Sequence, residues 1–282
     1  MNLKNVDLIG YACGLAAGNP GCAEGPVQLQ TVFDHLELLY PALTESPQDN
    51  YHLIAELSLR LAQRIEKTLQ HKKQFIVFAG DHSCAIGTWS GVAHALREEK
   101  KDFGLIWIDA HLDSHTPETS PSGNIHGMPV ASLLGHGNKL LTSILNNHPK
   151  IKPENICFIG IRSFERGEED LIKKLNIKTY YMQEVDERGL DAVFKEAKAR
   201  ITKDTEYYGV SIDLDGIDPE DTPGVGTAEP NGIKADDLCK ALREYCQHDP
   251  KLLGAEITEF NPHLDINHKT QAVIRRLVAA IY

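Results

Sequence analysis

The chain has 282 residues, 41% hydrophobic and 24% charged, which fits a folded globular protein with a sizeable core and excludes a disordered or fibrous class. A net charge of -11 with histidine neutral argues against a nucleic-acid backbone as partner and favours a small cationic one. No segment approaches the run of roughly 20 apolar residues that a bilayer span needs, so no membrane partner is expected.

Short apolar segments rich in Ile, Val and aromatics predict strands at 6–11, 75–79, 103–108, 156–161, 178–181, 208–212 and 253–257. Helical periodicity predicts helices at 54–69, 190–201, 235–245 and 270–281. In the first of these, Ile54, Leu57, Leu61, Ile65 and Leu69 share one face. Alternation of this kind implies a mostly parallel sheet with helices on both sides. No linker or internal repeat divides the chain, so a single domain over 1–282 is expected. The N-terminus, Met1-Asn2-Leu3-Lys4-Asn5, has no long apolar run behind it. A secretory signal is therefore not expected, and the expected location is cytoplasmic. The six cysteines form no C-x-x-C pair and are expected to be reduced, buried thiols.

Chemistry concentrates in three segments that each follow a predicted strand: Gly80-Asp81-His82-Ser83, Asp109-Ala110-His111-Leu112-Asp113 and Asp213-Leu214-Asp215-Gly216-Ile217-Asp218-Pro219. In extended backbone, residues two apart point to one side, so Asp109, His111 and Asp113 converge, as do Asp213 and Asp215. Carboxylates packed this tightly repel one another unless a cation compensates. A mixed carboxylate and imidazole set without thiolate suits Mn2+, with Zn2+, Fe2+ or Co2+ as competitors. Two ions sharing one water would make a two-metal hydrolase. Two polar loops rich in Gly, Pro, Ser and Thr, 112–129 and 222–232, follow these motifs and lie where open α/β sheets place their sites.

These motifs, together with Glu24-Gly25-Pro26, Ser122-Gly123-Asn124-Ile125-His126-Gly127-Met128-Pro129 and Glu259-Phe260-Asn261-Pro262, resemble those of the ureohydrolases, and within them the arginases. The resemblance runs nearly end to end. It implies a three-layer α-β-α fold of about eight strands and two Mn2+ ions per subunit. One ion would be held by His82, Asp109, Asp113 and Asp213. The other would be held by His111, Asp109, Asp213 and Asp215, with Asp109 and Asp213 bridging. The implied reaction is attack of a metal-bridging hydroxide on the guanidinium of L-arginine, giving L-ornithine and urea. Asp113 would help pass a proton to the leaving amine, Glu259 would hold the guanidinium, and His126 would be an acid, base or shuttle.

At the far end of the substrate, Ser120, Ser122 and Asn124 would meet the α-carboxylate, and Thr227 would line the guanidinium end. The resemblance also implies a homo-oligomer, trimer or hexamer. Two departures stand out. His115 occupies a position where many arginases have an asparagine that contacts the α-carboxylate, and by the resemblance it would bind substrate there; Ser163 and Glu165 replace the aspartates of an R-D-x-D-x-G-E pattern. Glu165 would meet an α-ammonium. These changes keep open a related substrate: agmatine, guanidinobutyrate or formimidoylglutamate.

Overall fold

The computed structural model describes residues 3–42 and 49–282; Met1 and Asn2 of the N-terminal stretch lie outside the described residues. Its centre is one eight-stranded sheet: β1 (Val6–Tyr11), β2 (Glu37–Leu39), β3 (Gln74–Ala79), β4 (Phe103–Ile108), β5 (Ile156–Ile161), β6 (Lys178–Tyr181), β7 (Tyr207–Asp213) and β8 (Leu252–Thr258). Every pairing is parallel, and the order is β2-β1-β3-β8-β7-β4-β5-β6. All strands therefore end along one edge of the sheet. The predicted strands are present, and β2 is an addition: an edge strand of only three residues, too short to show a period.

Two apolar cores lie on the two faces. One takes Ile54, Leu57, Leu61 and Ile65 from helix Asn50–Gln70 and Ile86, Trp89 and Val92 from helix Cys84–Arg97. The other takes Val193 and Phe194, Leu238 and Leu242, and Ile274 and Leu277 from helices Leu190–Ile201, Ala235–Tyr245 and Lys269–Ile281. This is a three-layer α-β-α architecture with the strands buried on both faces. All six cysteines are buried and unbridged. Among the described residues, no helix is long and apolar enough to cross a membrane.

One ion-pair cluster ties the outer strands to the helical layer. Arg64 donates to Asp7 of β1 at 2.9 Å, to Glu37 of β2 at 2.7 Å and to Thr68 at 2.6 Å. Partial burial works against the Asp7 carboxylate, but hydrogen bonds from Lys73, Arg64 and Thr68 hold its pKa below the usual 3.8. A depressed carboxylate contributes stability above its unfolded pKa and loses it as pH falls through the folded one. Arg64→Ala is therefore expected to cost about 1–2 kcal/mol at neutral pH, measured by urea unfolding, with the difference shrinking as pH drops below about 4. An equal loss at pH 7 and in strong acid would contradict an ionic origin.

Candidate metal centre

The carboxyl ends of β3, β8, β7 and β4 are neighbours in the sheet, and each is followed by a candidate site segment. Asp213 closes β7 level with Thr258 of β8, and Ile212 is level with Ile108 of β4. Asp109, Asp213 and Glu259 thus leave the sheet at one height. A Cβ at Gly216 would lie 2.9 Å from the Asp109 backbone nitrogen, so only glycine lets the segment after β7 close against the segment after β4. Asp113 and Glu259 adopt left-handed backbone, with φ of 47° and 66°. Such strain in non-glycine residues collects at functional sites.

The donors divide into two groups. His82 Nδ1 lies 2.9 Å from Asp213 Oδ2, 3.1 Å from Asp113 Oδ2 and 3.3 Å from Asp109 Oδ2. His111 Nδ1 lies 3.2 Å from Asp215 Oδ2 and 3.5 Å from Asp109 Oδ1. Asp109 therefore offers one oxygen to each group. Asp213 joins the first, while its Oδ1 accepts from the Asp215 backbone N–H at 2.9 Å. The extended-strand expectation for Asp109, His111 and Asp113 needs correction in one respect. β4 ends at Ile108, and the positive φ at Asp113 turns that carboxylate toward His82 rather than His111.

A proton relay behind His82 shows what this geometry requires. The Ser211 hydroxyl donates to Glu256 Oε1 at 2.7 Å, so it accepts from His82 Nε2 at 2.8 Å. Trp89 Nε1 also donates to Glu256 Oε1, at 2.6 Å. With its proton committed to Nε2, His82 turns a bare Nδ1 lone pair toward three carboxylates. That atom is fully buried and, among the described residues, has no hydrogen-bond partner. A lone pair facing carboxylates is repulsive unless a proton or a metal cation sits between them, so a divalent ion fits these residues.

The titration behaviour agrees. Burial and the charge of Asp109 push Asp113 up to about 8. Burial and Asp215 raise Asp213 as well. Burial disfavours the imidazolium of His82, yet Asp109, Asp113 and Asp213 together hold its pKa well above the usual range. His111 behaves likewise against Asp215 and Asp109, despite its burial. Without a cation the cluster must hold extra protons, and a bound metal would release them.

Neighbouring groups fix the donors. Trp107 stacks on the His82 ring at 4.3 Å and donates Nε1–H to Asp109 Oδ2 at 2.8 Å. Asp81 accepts from the backbone N–H groups of Ala16 and Ser83, holding the turn that presents His82. Asp215 Oδ1 accepts from the Ala110 N–H at 3.3 Å. Of these supports, Asp81 lies inside a quoted segment without an assigned role, and Ser211 lies inside the predicted strand 208–212. Glu256, Trp89 and Trp107 carried no motif at all. A carboxylate at position 256, inside an apolar strand, was the one available signal.

Beside the centre, Glu259 Oε1 accepts from the His82 backbone N–H at 2.9 Å and pairs with His126 Nδ1 at 3.0 Å. Burial lowers the His126 pKa, but the Glu259 charge and hydrogen bond outweigh it and bring the group to about 9. Ser120 and Ser122 sit in an outer loop, where their hydroxyls accept from the Gly123 and Asn124 N–H groups at 3.0 and 3.2 Å. Their own O–H groups remain available to donate. Asn124 starts the short turn that carries His126, and Thr227 is exposed in the second loop. His115 is buried, bonded through Nδ1 to Thr119 Oγ1 at 3.1 Å and through Nε2 to Glu165. His115, at the position of the family's asparagine, and Glu165, expected to meet the α-ammonium, thus meet each other.

The fold and donor set define a class: an all-parallel three-layer α/β protein whose strand ends carry a centre fitted to divalent cations. A family model described as the arginase family matches residues 4–282. The arginase of Bacillus caldovelox is 36% identical over 299 residues, covering 99% of this chain and 98% of that one. A crystal structure of arginase from Bacillus subtilis has 35% identity and a TM-score of 0.85, covering 98% of each chain. Entamoeba histolytica arginase, solved in complex with L-ornithine, has 30% identity and a TM-score of 0.89, covering 100% of this chain and 99% of that one. The chain belongs to the arginase family of the ureohydrolases, and is a hydrolase of that family.

Proposed function

We propose that this protein hydrolyses L-arginine to L-ornithine and urea with two divalent ions, Mn2+ by the chemistry of the donors. The observation that carries the reading is the buried Nδ1 of His82, facing three carboxylates within 3.3 Å and, among the described residues, without a hydrogen-bond partner. His82, Asp109, Asp113 and Asp213 would hold one ion. His111, Asp109, Asp213 and Asp215 would hold the other. When bound, such a pair supplies Lewis acidity and makes water at the centre a nucleophile near neutral pH.

The remaining work falls to side chains. Both hydrogen bonds of Glu259 go to Oε1, so Oε2 is the oxygen that would take a guanidinium N–H. A charge-assisted bond there orients the planar cation. His126, paired through Nδ1, keeps Nε2 for proton transfer to the departing amine. Its pKa of about 9 makes it a proton donor at neutral pH, and cations at the neighbouring centre would draw that value down toward the working range. Asp113 would help relay that proton. Ser120, Ser122 and Asn124 would donate to the α-carboxylate, with Thr227 at the guanidinium end. Glu165 would meet the α-ammonium once it shares or releases His115.

That bond between His115 and Glu165 also supports a second reading: a guanidine lacking one α-group, such as agmatine or guanidinobutyrate. Urea release by Mn2+-loaded protein from equal concentrations of L-arginine, agmatine and guanidinobutyrate separates the two. Preference for L-arginine supports the first; preference for either other compound moves the specificity to the His115–Glu165 pair. No urea from any of them sinks both. His126→Asn is expected to retain both ions and lower kcat by about 10²–10⁴-fold. Metal analysis showing an ion lost with it would mean that His126 belongs among the metal ligands.

A further inference from the structure

Glu229, in the loop after β7, is a carboxylate with no place in the roles above. Its Oε1 accepts from the Ser163 hydroxyl at 3.0 Å and lies 3.7 Å from His111 Nε2. Among the described residues, His111 is its one ion-pair partner. A carboxylate serving only solubility would point to water, yet this one is 29% exposed and held by a hydroxyl. Its backbone is pinned too. Arg162 donates to the Glu229 carbonyl at 2.8 Å and to the Pro230 carbonyl at 3.0 Å. The same guanidinium donates to the carbonyls of Asp215 at 2.6 Å and Gly216 at 3.2 Å. One arginine thus clamps the Glu229 loop to the loop that carries Asp215.

The arrangement repeats what stands behind His82. There Ser211 takes the Nε2–H and donates in turn to Glu256, which leaves Nδ1 facing the carboxylates. At His111, Glu229 itself faces Nε2, with Ser163 donating to that carboxylate, while Nδ1 faces Asp215 and Asp109. Two things differ, the order of serine and glutamate and the gap. At 3.7 Å the Glu229 contact is an ion-pair separation rather than a hydrogen bond. A cation on Nδ1 would add positive charge to the ring and draw the carboxylate in.

We propose that Glu229, held by Ser163, is a positioning residue for His111: it takes the Nε2–H and so fixes the tautomer that offers Nδ1 to a metal ion. Ser163 stands where the family pattern has an aspartate. The carboxylate missing from that position is supplied across the cleft by the loop after β7. The inference rests on the two-ion reading of the centre.

The test is calorimetric titration of metal-free protein with Mn2+, for the parent chain, Glu229→Gln, Glu229→Ala and Ser163→Asp/Glu229→Ala. In Glu229→Gln, one of two Mn2+ dissociation constants is expected to rise by about 10–100-fold while the other stays within about twofold. Ser163→Asp/Glu229→Ala is expected to recover part of the affinity lost in Glu229→Ala, because it returns a carboxylate to the same place. Thermal unfolding of the metal-free variants should match the parent, which separates positioning from damage to the fold. Two ions bound by Glu229→Gln as tightly as by the parent would overturn the role of Glu229 and leave the hydrolase reading intact. Equal weakening of both ions would overturn it as well. A parent chain that binds no Mn2+ would overturn the two-ion reading itself.

Discussion

Asp213→Asn is expected to lower urea release by at least about a thousand-fold, since Lewis acidity at such centres contributes several kcal/mol and each 1.4 kcal/mol is tenfold in rate. The cause is metal loss. Asp213 Oδ2 is the carboxylate oxygen nearest His82 Nδ1, at 2.9 Å, and an amide supplies neither its charge nor its affinity for a hard cation. A second effect runs in the opposite direction. Burial and the charge of Asp215 raise the pKa of Asp213, so its ionised form is unfavourable in the metal-free fold. Removing that charge should leave the metal-free protein as stable as the parent or more so. The decisive pair of measurements is metal content after dialysis and thermal unfolding in chelator. An Asp213→Asn protein that holds two ions and turns over normally would remove Asp213 from the ligand set. One that is destabilised in chelator would show that the carboxylate cluster does not repel itself as described.

Glu259→Gln is expected to lower kcat/KM by about 10²–10³-fold while both ions remain bound, because truncating one side of a buried charged pair costs about 2–5 kcal/mol. Glutamine keeps the shape and an oxygen for the His82 backbone N–H. What disappears is the charge opposite a guanidinium and the charge that sustains the His126 imidazolium. His126 is raised to about 9 against the pull of burial by Glu259, its largest favourable contributor. Without that carboxylate its pKa falls, so a step needing protonated His126 fails at a lower pH. The alkaline limb of the kcat/KM profile should therefore move toward acid in the variant. An unmoved limb would detach His126 from proton transfer. A variant stripped of metal would mean that Glu259 acts through the centre rather than on the substrate.

Much of the fold was legible because most strands are buried on both faces and read as unbroken apolar runs. β2 escaped because three residues at a sheet edge show no period. Helix Cys84–Arg97 escaped for the opposite reason. It is buried from Cys84 through Val92 and carries no polar stripe for periodicity to detect. The candidate donors were legible because acidic residues and histidines directly after apolar strands have no structural excuse for burial. Their supports were not. Ser211 and Glu256 are one hydroxyl and one carboxylate on separate strands, 45 residues apart, and neither forms a pattern with its own neighbours.

The sequence by itself determined the layer architecture, the identity of the donors and the chemistry they fit, because those follow from local apolar runs and residue types. The resemblance implied a division of the donors; only the tertiary structure gives the geometry that brings them together. The sheet order places β3, β8, β7 and β4 side by side, so segments from distant parts of the chain end at one point. It splits Asp109 between two histidines, turns Asp113 toward His82 by a positive φ, and joins His115 to Glu165. Strand order is set by the packing of helices over the whole sheet, a long-range outcome that no local pattern encodes.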